Sequence, residues 1–366
     1  MRNQKPPDFA ILFSSLTLLC FGIIMVFSSS SVWAYYLHKD SLYFLKRQMA
    51  WAALGFLAMI FFMNYDYWNI KKHEKIIVFF MFLLLLIVLI PGVGIELNGA
   101  RRWIGVGSLT VQPSELAKLG MVIYLADGLE RKQDKIRNFF TGILPFLIVT
   151  GLVCGLIVIE PHLSATVLVG MTAFVMLFAA GASMIQLFSL GTVGFAAVMV
   201  LIFTKGYRMG RFISFLNPWE DIQDKGYHIV QSLYALGSGG LIGVGLGHSR
   251  QKFFYLPEPQ TDFIFAIIGE ELGFLGACFV ILLFMFFIWR GYRTALTAPD
   301  LFGKFLATGL TTLIALQFLI NIAVVTASMP VTGMPLPFIS YGGSSLIITM
   351  SQVGILLNIS RYTEAK

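Results

Sequence analysis

Charge is scarce in this chain. Of its 366 residues only 12% are Asp, Glu, Lys or Arg, while 57% are hydrophobic. That balance lies outside the range of soluble globular domains and points to a polytopic membrane protein. Cysteine is equally sparse: Cys20, Cys154 and Cys278 all fall inside apolar stretches, which excludes a disulfide framework and a cysteine metal cluster. The five histidines, His38, His73, His162, His228 and His248, are scattered without metal-ligand spacing and read mostly as surface or loop residues. No internal repeat is visible, which disfavours the inverted-repeat construction of many secondary transporters. A small-x-small cleavage site is missing after the first apolar run, Phe9 to Phe27, so that run reads as a retained anchor.

What the chain has is hydrocarbon-length segments. A span needs roughly twenty apolar residues. Ten candidates follow one another: Phe9 to Ser28, Gln48 to Met63, Ile76 to Ile90, Pro113 to Ala126, Phe139 to Ile159, Leu163 to Ala180, Ile185 to Phe203, Phe263 to Trp289, Phe305 to Ala327 and Ser344 to Ser360. The fourth is short and carries charge. The expected fold is an all-α polytopic membrane protein of about ten helices, organised as one integral membrane domain over residues 1–366. Lys71, Lys72 and Lys75, then Arg131, Lys132, Lys135 and Arg137, then Arg290, Arg293 and Lys304 occupy alternate short loops. Together with Arg2, Lys5, Arg361 and Lys366 they mark the cytoplasmic face by the positive-inside rule, with both termini on that side.

The opposite face carries the long loops. Lys205 to Gln260, between the seventh and eighth spans, exceeds the length of an ordinary connection and is expected to hold structure of its own. Ile229, Leu233 and Leu236 repeat at helical spacing there and predict a short amphipathic helix at the membrane interface. Gly243, Gly245 and Gly247 lack both the strand-turn-helix context and the lysine of a nucleotide site, so they read as close-packing glycines. From Met329, MPVTGMPLPFISYGGSSL sets prolines and glycines between two spans. Irregular backbone at that depth survives where it lines a cavity or is buried in protein. Gln317 and Asn321 in the ninth span, and Gln352 and Asn358 in the last, are placed to hydrogen-bond across helices.

Chemistry concentrates where water meets hydrocarbon. Asp262, in PEPQTDFIFAIIGEELGF, stands at the mouth of the eighth span. A carboxylate there faces a cavity, a partner or a substrate, or else caps the helix that follows; both readings stand on spacing alone. Glu115 and Lys118 are three apart in the fourth span and fall on one helical face, as a packing ion pair or as part of a pocket. The preceding NGARRWIGVGSLTVQPSE brings Arg101, Arg102 and Trp103 to the same rim, which Arg47 joins from the second span. Several cations near a membrane-embedded acid suit an anionic, partly lipidic ligand, because the guanidinium fork matches phosphate oxygens.

NGARRWIGVG with QPSELAK, NPWED from Asn217, PEPQTDFIFAIIGEELG and PLPFISYGGSS, in this order, resemble the SEDS family of shape, elongation, division and sporulation proteins over essentially the whole chain. The C-terminal NISRY and short ends are most similar to its FtsW and SpoVE branch. The resemblance implies a ten-span peptidoglycan glycosyltransferase of the bacterial cytoplasmic membrane. Such an enzyme polymerises lipid II, the undecaprenyl diphosphate-linked disaccharide peptide, on the outer face beside a class B penicillin-binding protein. It implies a catalytic role for Asp262 and substrate contacts for Arg47, Arg101, Glu115 and Lys118. One departure stands out: where the family often has P-D-x-G-T, this chain has Pro161, His162, Leu163, Ser164 and Ala165, so any role of that aspartate does not carry over.

Joining sugars from a lipid diphosphate needs a base for the attacking hydroxyl and cations for the departing diphosphate. Asp262 fits the first role; Arg101, Arg47 and Lys118 fit the second, with a divalent cation, Mg or Mn, as an added candidate. No organic cofactor or nucleic-acid partner is expected, while membrane lipids are. Direct attack on an alpha-linked donor inverts it to a beta linkage. Two rival classes make distinct demands. A lipid-precursor flippase needs an alternating pathway and is favoured by charge through the membrane core, and a non-catalytic division scaffold leaves Asp262 dispensable.

Overall fold

A computed structural model describes residues 5–97, 100–106, 109–222, 224 and 226–363. Arg2 and Lys366, two of the basic topological markers, lie outside the described residues, as do Asn98, Gly99, Gly107 and Ser108 of the rim motif. The chain runs through α1 (Phe9–His38), α2 (Tyr43–Asn64), a short α3 (Tyr67–Lys72) and α4 (Glu74–Ile87). Three short strands follow, β1 (Gly94–Leu97), β2 (Ala100–Val106) and β3 (Leu109–Val111), then α5 (Pro113–Arg131). A π-helical turn, Phe139–Ile143, leads into α6 (Leu144–Ile159), which is followed by α7 (Leu163–Ala179) and α8 (Met184–Phe203). After α9 (Gly206–Leu216) and α10 (Tyr227–Ser238) come α11 (Ile264–Leu296), α12 (Leu301–Val325) and α13 (Gly343–Ser360).

Seven of these helices are long and apolar enough to cross a membrane; counting the π-helical turn with α6, they are α1, α2, α6, α8, α11, α12 and α13. The other three expected spans are also helices, α4, α5 and α7, but shorter or more charged. Helix starts follow local chemistry. Asp8 accepts from the free Ala10 and Ile11 amides of α1, Ser183 and Gln186 form a capping box on α8, and Pro113 occupies the first turn of α5.

The packing is centred on α12 and α13, whose apolar windows are 78% and 83% buried, whereas that of α8 is only 6% buried. Close approach of α13 to α2 requires a residue without Cβ at 354, since a Cβ there would stand 2.5 Å from the Met59 carbonyl oxygen. Asn358 completes the seam, accepting from the Tyr67 amide at 3.0 Å and donating to Met63 O at 2.9 Å. That is the cross-helix role expected of it.

Two features of the loop-bearing face were not anticipated. The strands Gly94–Leu97, Ala100–Val106 and Leu109–Val111 pair as an antiparallel sheet of order β1-β2-β3, with an irregularity at Ile95/Glu96. The long loop holds two helices, α9 and α10, rather than the single one that the spacing predicts. The loop also docks into a break in α11 at Gly273, whose φ of 67° excludes most side chains. Phe274 N and Leu275 N donate to Gly240 O and Leu241 O, while Val244 N and Gly245 N donate to Glu270 O and Glu271 O. The groups freed by the break are thus satisfied by loop backbone, the condition for irregular structure at membrane depth. Gly243 is a close-packing glycine as expected: a Cβ there would meet Glu271 O at 2.2 Å.

Below the break the two carboxylates of GEELG are buried and fully engaged. Glu271 accepts from Ser28 Oγ of α1 and pairs with Lys252 Nζ at 3.3 Å. Glu270 accepts from Ser249 Oγ and from the Arg250 amide at 2.8 Å. They fasten residues 249–252 to α11 and α1, a structural use of charge.

Candidate active site

Asp262 does not cap α11. The helix begins at Ile264 behind Phe263 and has no side-chain cap. Three successive carbonyls, of Gln260, Thr261 and Asp262, accept from Tyr341 N (2.8 Å), Ser340 Oγ (2.5 Å) and Asn321 Nδ2 (2.8 Å). Asn321 also donates to Met334 O at 2.7 Å, and Ser340 Oγ accepts from the Leu336 amide. The backbone at Asp262 is therefore strapped to the 334–341 loop, while its half-buried carboxylate accepts no hydrogen bond from any described residue. Opposite it lies Gly333, in a left-handed conformation (φ 71°), where a Cβ would stand 3.5 Å from Asp262 Oδ2. Burial, then the nearby Glu258 carboxylate, push the Asp262 pKa up to about 7 against the pull of Arg211. A carboxyl in that range exchanges a proton at neutral pH, as a general base must.

Side chains of α9 and α10 complete this side. Arg211 lies within electrostatic reach of Asp262, and His228 stacks on Phe263 with centroids 5.7 Å apart. Burial, then Arg211, lower the His228 pKa, favouring the neutral ring. Arg102 from β2 donates to Glu160 O at 3.0 Å and to Pro161 O, and lies near Arg208 and Arg211. Arg208 is buried, with Nε on Tyr207 OH (2.9 Å) and Nη1 on Leu201 O (3.1 Å). None of these three guanidinium groups forms an ion pair with a described residue.

The α6–α7 turn forms the next wall. Glu160 is enclosed, both carboxyl oxygens lack a partner among the described residues, and burial outweighs Arg102 to push it up to about 8. It is held as a neutral acid. His162 is the exception to the surface reading of the histidines: buried, with Nδ1 3.2 Å from both Gln112 Nε2 and Ser114 Oγ. Burial, then Arg102 and Lys118, depress its pKa to about 3, which favours the neutral ring. Ser164 Oγ donates to Thr332 O, tying this turn to the loop that faces Asp262.

The predicted site residues divide. Glu115 and Lys118 form a buried pair, Oε1 to Nζ 2.7 Å, and Lys118 continues to Gln317 Oε1 at 3.1 Å. Gln317 Nε2 donates to Pro335 O at 2.9 Å, so the pair bears on the loop that holds Asp262. Arg47 donates to Tyr43 OH at 2.9 Å and acts on Tyr341, next to the Ser340 that binds Thr261. Arg101 is turned away: its Nε pairs with Glu96 Oε2 at 3.1 Å on the exposed surface of the sheet. Successive strand residues face opposite sides, so Arg102 takes the inward position. That alternation was the available signal for Arg102. Glu160 had one signal, its place two positions before His162 in the turn where the family pattern is broken; Arg208, Arg211 and His228 had none, because α9 and α10 meet Asp262 only in the folded chain.

The family model described as cell cycle protein, covering FtsW, RodA and SpoVE, matches residues 9–365. Stage V sporulation protein E of Bacillus subtilis (strain 168) is 51% identical over 99% of both chains. A probable peptidoglycan glycosyltransferase FtsW of Geobacter sp. (strain M18) is 43% identical over 98% of both. Among solved structures, the Thermus thermophilus rod shape determining protein RodA superposes with a TM-score of 0.73 at 28% identity, covering 98% of each chain. A chain from a peptidoglycan synthase complex, in work on the coordination of polymerization and crosslinking, gives a TM-score of 0.78 at 28% identity, covering 97% of this chain and 98% of its own.

Proposed function

The chain belongs to the family of FtsW, RodA and SpoVE, and from that premise we propose that Asp262 is the base with which this peptidoglycan glycosyltransferase extends glycan strands in division or sporulation. One observation carries the assignment: a carboxylate on a segment, Gln260 to Asp262, whose three successive carbonyls are each hydrogen-bonded, whose oxygens accept from no described donor, and whose pKa is pushed up to about 7.

In the proposed reaction Asp262 takes the proton of the acceptor sugar hydroxyl. That oxygen bonds to the anomeric carbon of the donor as the bond to the lipid diphosphate breaks, inverting an alpha linkage to beta. Arg102, Arg208 and Arg211, which lack carboxylate partners among the described residues, receive the developing diphosphate charge. The leaving group needs no second carboxyl acid, so a neutral Glu160 is compatible with it.

The substrate is proposed to be lipid II and the partner a class B penicillin-binding protein. The membrane is proposed to be the bacterial cytoplasmic membrane, with the Asp262 face outward, on the opposite side from the short basic loops. The described residues contain no group of three or more His, Cys, Asp or Glu able to hold a metal, so they do not fit a protein-built metal centre. A divalent cation enters this reading only as the counter-ion of the diphosphate.

The test is polymerisation of lipid II by purified Asp262→Asn protein, with lipid binding measured on the same sample. Asparagine keeps shape and hydrogen-bonding capacity but cannot accept the proton. Loss of at least about a hundredfold in chain formation with binding retained is expected, within the range of general-base contributions. A near-parental rate would return the protein to the flippase or scaffold readings.

A further inference from the structure

At the far end of α5 from Glu115, some sixteen residues or about 24 Å along the helix, the opposite membrane face holds a second charged feature. A cavity of about 610 Å³ lies between the end of α5 and the start of α6, lined by Gly128, Arg131, Lys132, Lys135, Thr141 and Phe146 among others. Its walls are closely built. A Cβ at Gly128 would stand 2.4 Å from the Phe146 ring, and one at Gly142 would stand 2.2 Å from Lys135 O. The π-helical turn Phe139–Ile143 is held by Asn138, whose side chain accepts from the Phe140 and Thr141 amides. Local π-helical backbone of this kind is often retained at functional sites.

The charges of the cavity are not balanced within it. Arg131 is engaged by Asp127 and lies 3.8 Å from Glu74. Lys132 donates to Thr141 O at 3.2 Å and sits 5.6 Å above the Phe146 ring, without a carboxylate partner among the described residues. Lys135 is exposed and likewise forms no ion pair with a described residue, and neither lysine pairs with the neighbouring Asp134. Two ammonium groups therefore face a cavity at a membrane rim. Beside it the surface is apolar: Phe140 is 74% exposed, and Ile148 and Leu152 continue along α6. A soluble anion makes no use of such a flank, whereas the acyl chains of a lipid run along it while the phosphate meets the lysines.

We propose that this cavity binds the phosphodiester headgroup of an anionic membrane lipid, at a site separate from the glycosyl-transfer chamber and independent of the chemistry assigned to it. The experiment uses the full-length protein in detergent, with native mass spectrometry counting retained lipids after addition of phosphatidylglycerol or of phosphatidylcholine with the same chains. The parent protein should retain at least one more phosphatidylglycerol than phosphatidylcholine. Lys132→Gln with Lys135→Gln should abolish that excess, and Lys132→Arg with Lys135→Arg should restore it, which also shows that loss is not unfolding. Lys72→Gln with Lys75→Gln, removing two exposed cations from the same face, should leave the excess unchanged. Inorganic phosphate at matched phosphorus concentration should not displace the lipid. The proposal is overturned by parental retention in the Lys132/Lys135 glutamine variant, by equal loss in the Lys72/Lys75 control, or by displacement with phosphate.

Discussion

The two ends of α5 carry the same kind of ion pair in opposite surroundings. At its start Lys118 and Glu115, three residues apart, have side chains only 3% and 6% exposed. At its end Arg131 and Asp127, four apart, are joined as well, but the arginine is 53% exposed. The first pair gives up its hydration and passes its remaining hydrogen-bonding capacity to Gln317 and the loop that holds Asp262. The second keeps its cation in water beside an open cavity. Helical spacing brings charges together; solvent access decides whether the pair acts as a brace or stays available.

Breaking the enclosed pair should have the largest effect on stability. Lys118→Met leaves Glu115 buried without its partner and is expected to cost about 3–5 kcal/mol, seen as a lowered melting temperature in detergent. Replacing both, as Glu115→Gln with Lys118→Met, should recover most of that loss. If the double variant melts no higher than the single, the pair is not coupled as the geometry requires.

Next comes the pH profile, which tests what the brace holds in place. Because Asp262 must be deprotonated to act, the rate of glycan formation should rise with pH through about 7. Glu258 raises the Asp262 pKa and Arg211 lowers it. Glu258→Gln should therefore move the acid limb to lower pH, and Arg211→Gln to higher pH, each by a fraction of a unit. The stability linked to Asp262 has its own sign. Its folded pKa exceeds the ordinary 3.8, so that contribution is complete below about pH 4 and lost as pH rises through about 7. Opposite displacements of the acid limb, measured on lipid II turnover, are the decisive result.

The smallest effect is expected at the open end. Arg131→Gln removes a half-exposed cation but leaves the buried Asp127 and Glu74 carboxylates without it, so it should lower stability by less than Lys118→Met and leave polymerisation unchanged. A loss comparable to that of Lys118→Met would erase the contrast between the two ends.

Much of the fold was legible before the structure, because hydrocarbon imposes a long, simple pattern. Each of the ten expected spans corresponds to a helix, and the loop between the seventh and eighth spans carries structure. The sheet over β1 to β3 was not legible: its strands are only 4, 7 and 3 residues long, and their pairing satisfies backbone rather than burying an alternating apolar face. The candidate site was legible in part. Asp262, Glu115 and Lys118 stood out because charge at the membrane boundary is costly wherever it occurs. Arg101 and Arg102 were adjacent and chemically identical, and only strand orientation separates the surface pair with Glu96 from the inward grip on Glu160 and Pro161.

By itself the sequence determined that the chain lives in a membrane, where its spans lie and which carboxylate stands at the boundary, since those depend on local composition and segment length. The tertiary structure alone decided that Asp262 is held by its backbone and left open at its oxygens. It also decided that Glu160 and His162 are neutral, and that the guanidinium groups from β2 and α9 converge. Those properties depend on desolvation and on distances between segments far apart in the chain, which no local pattern encodes.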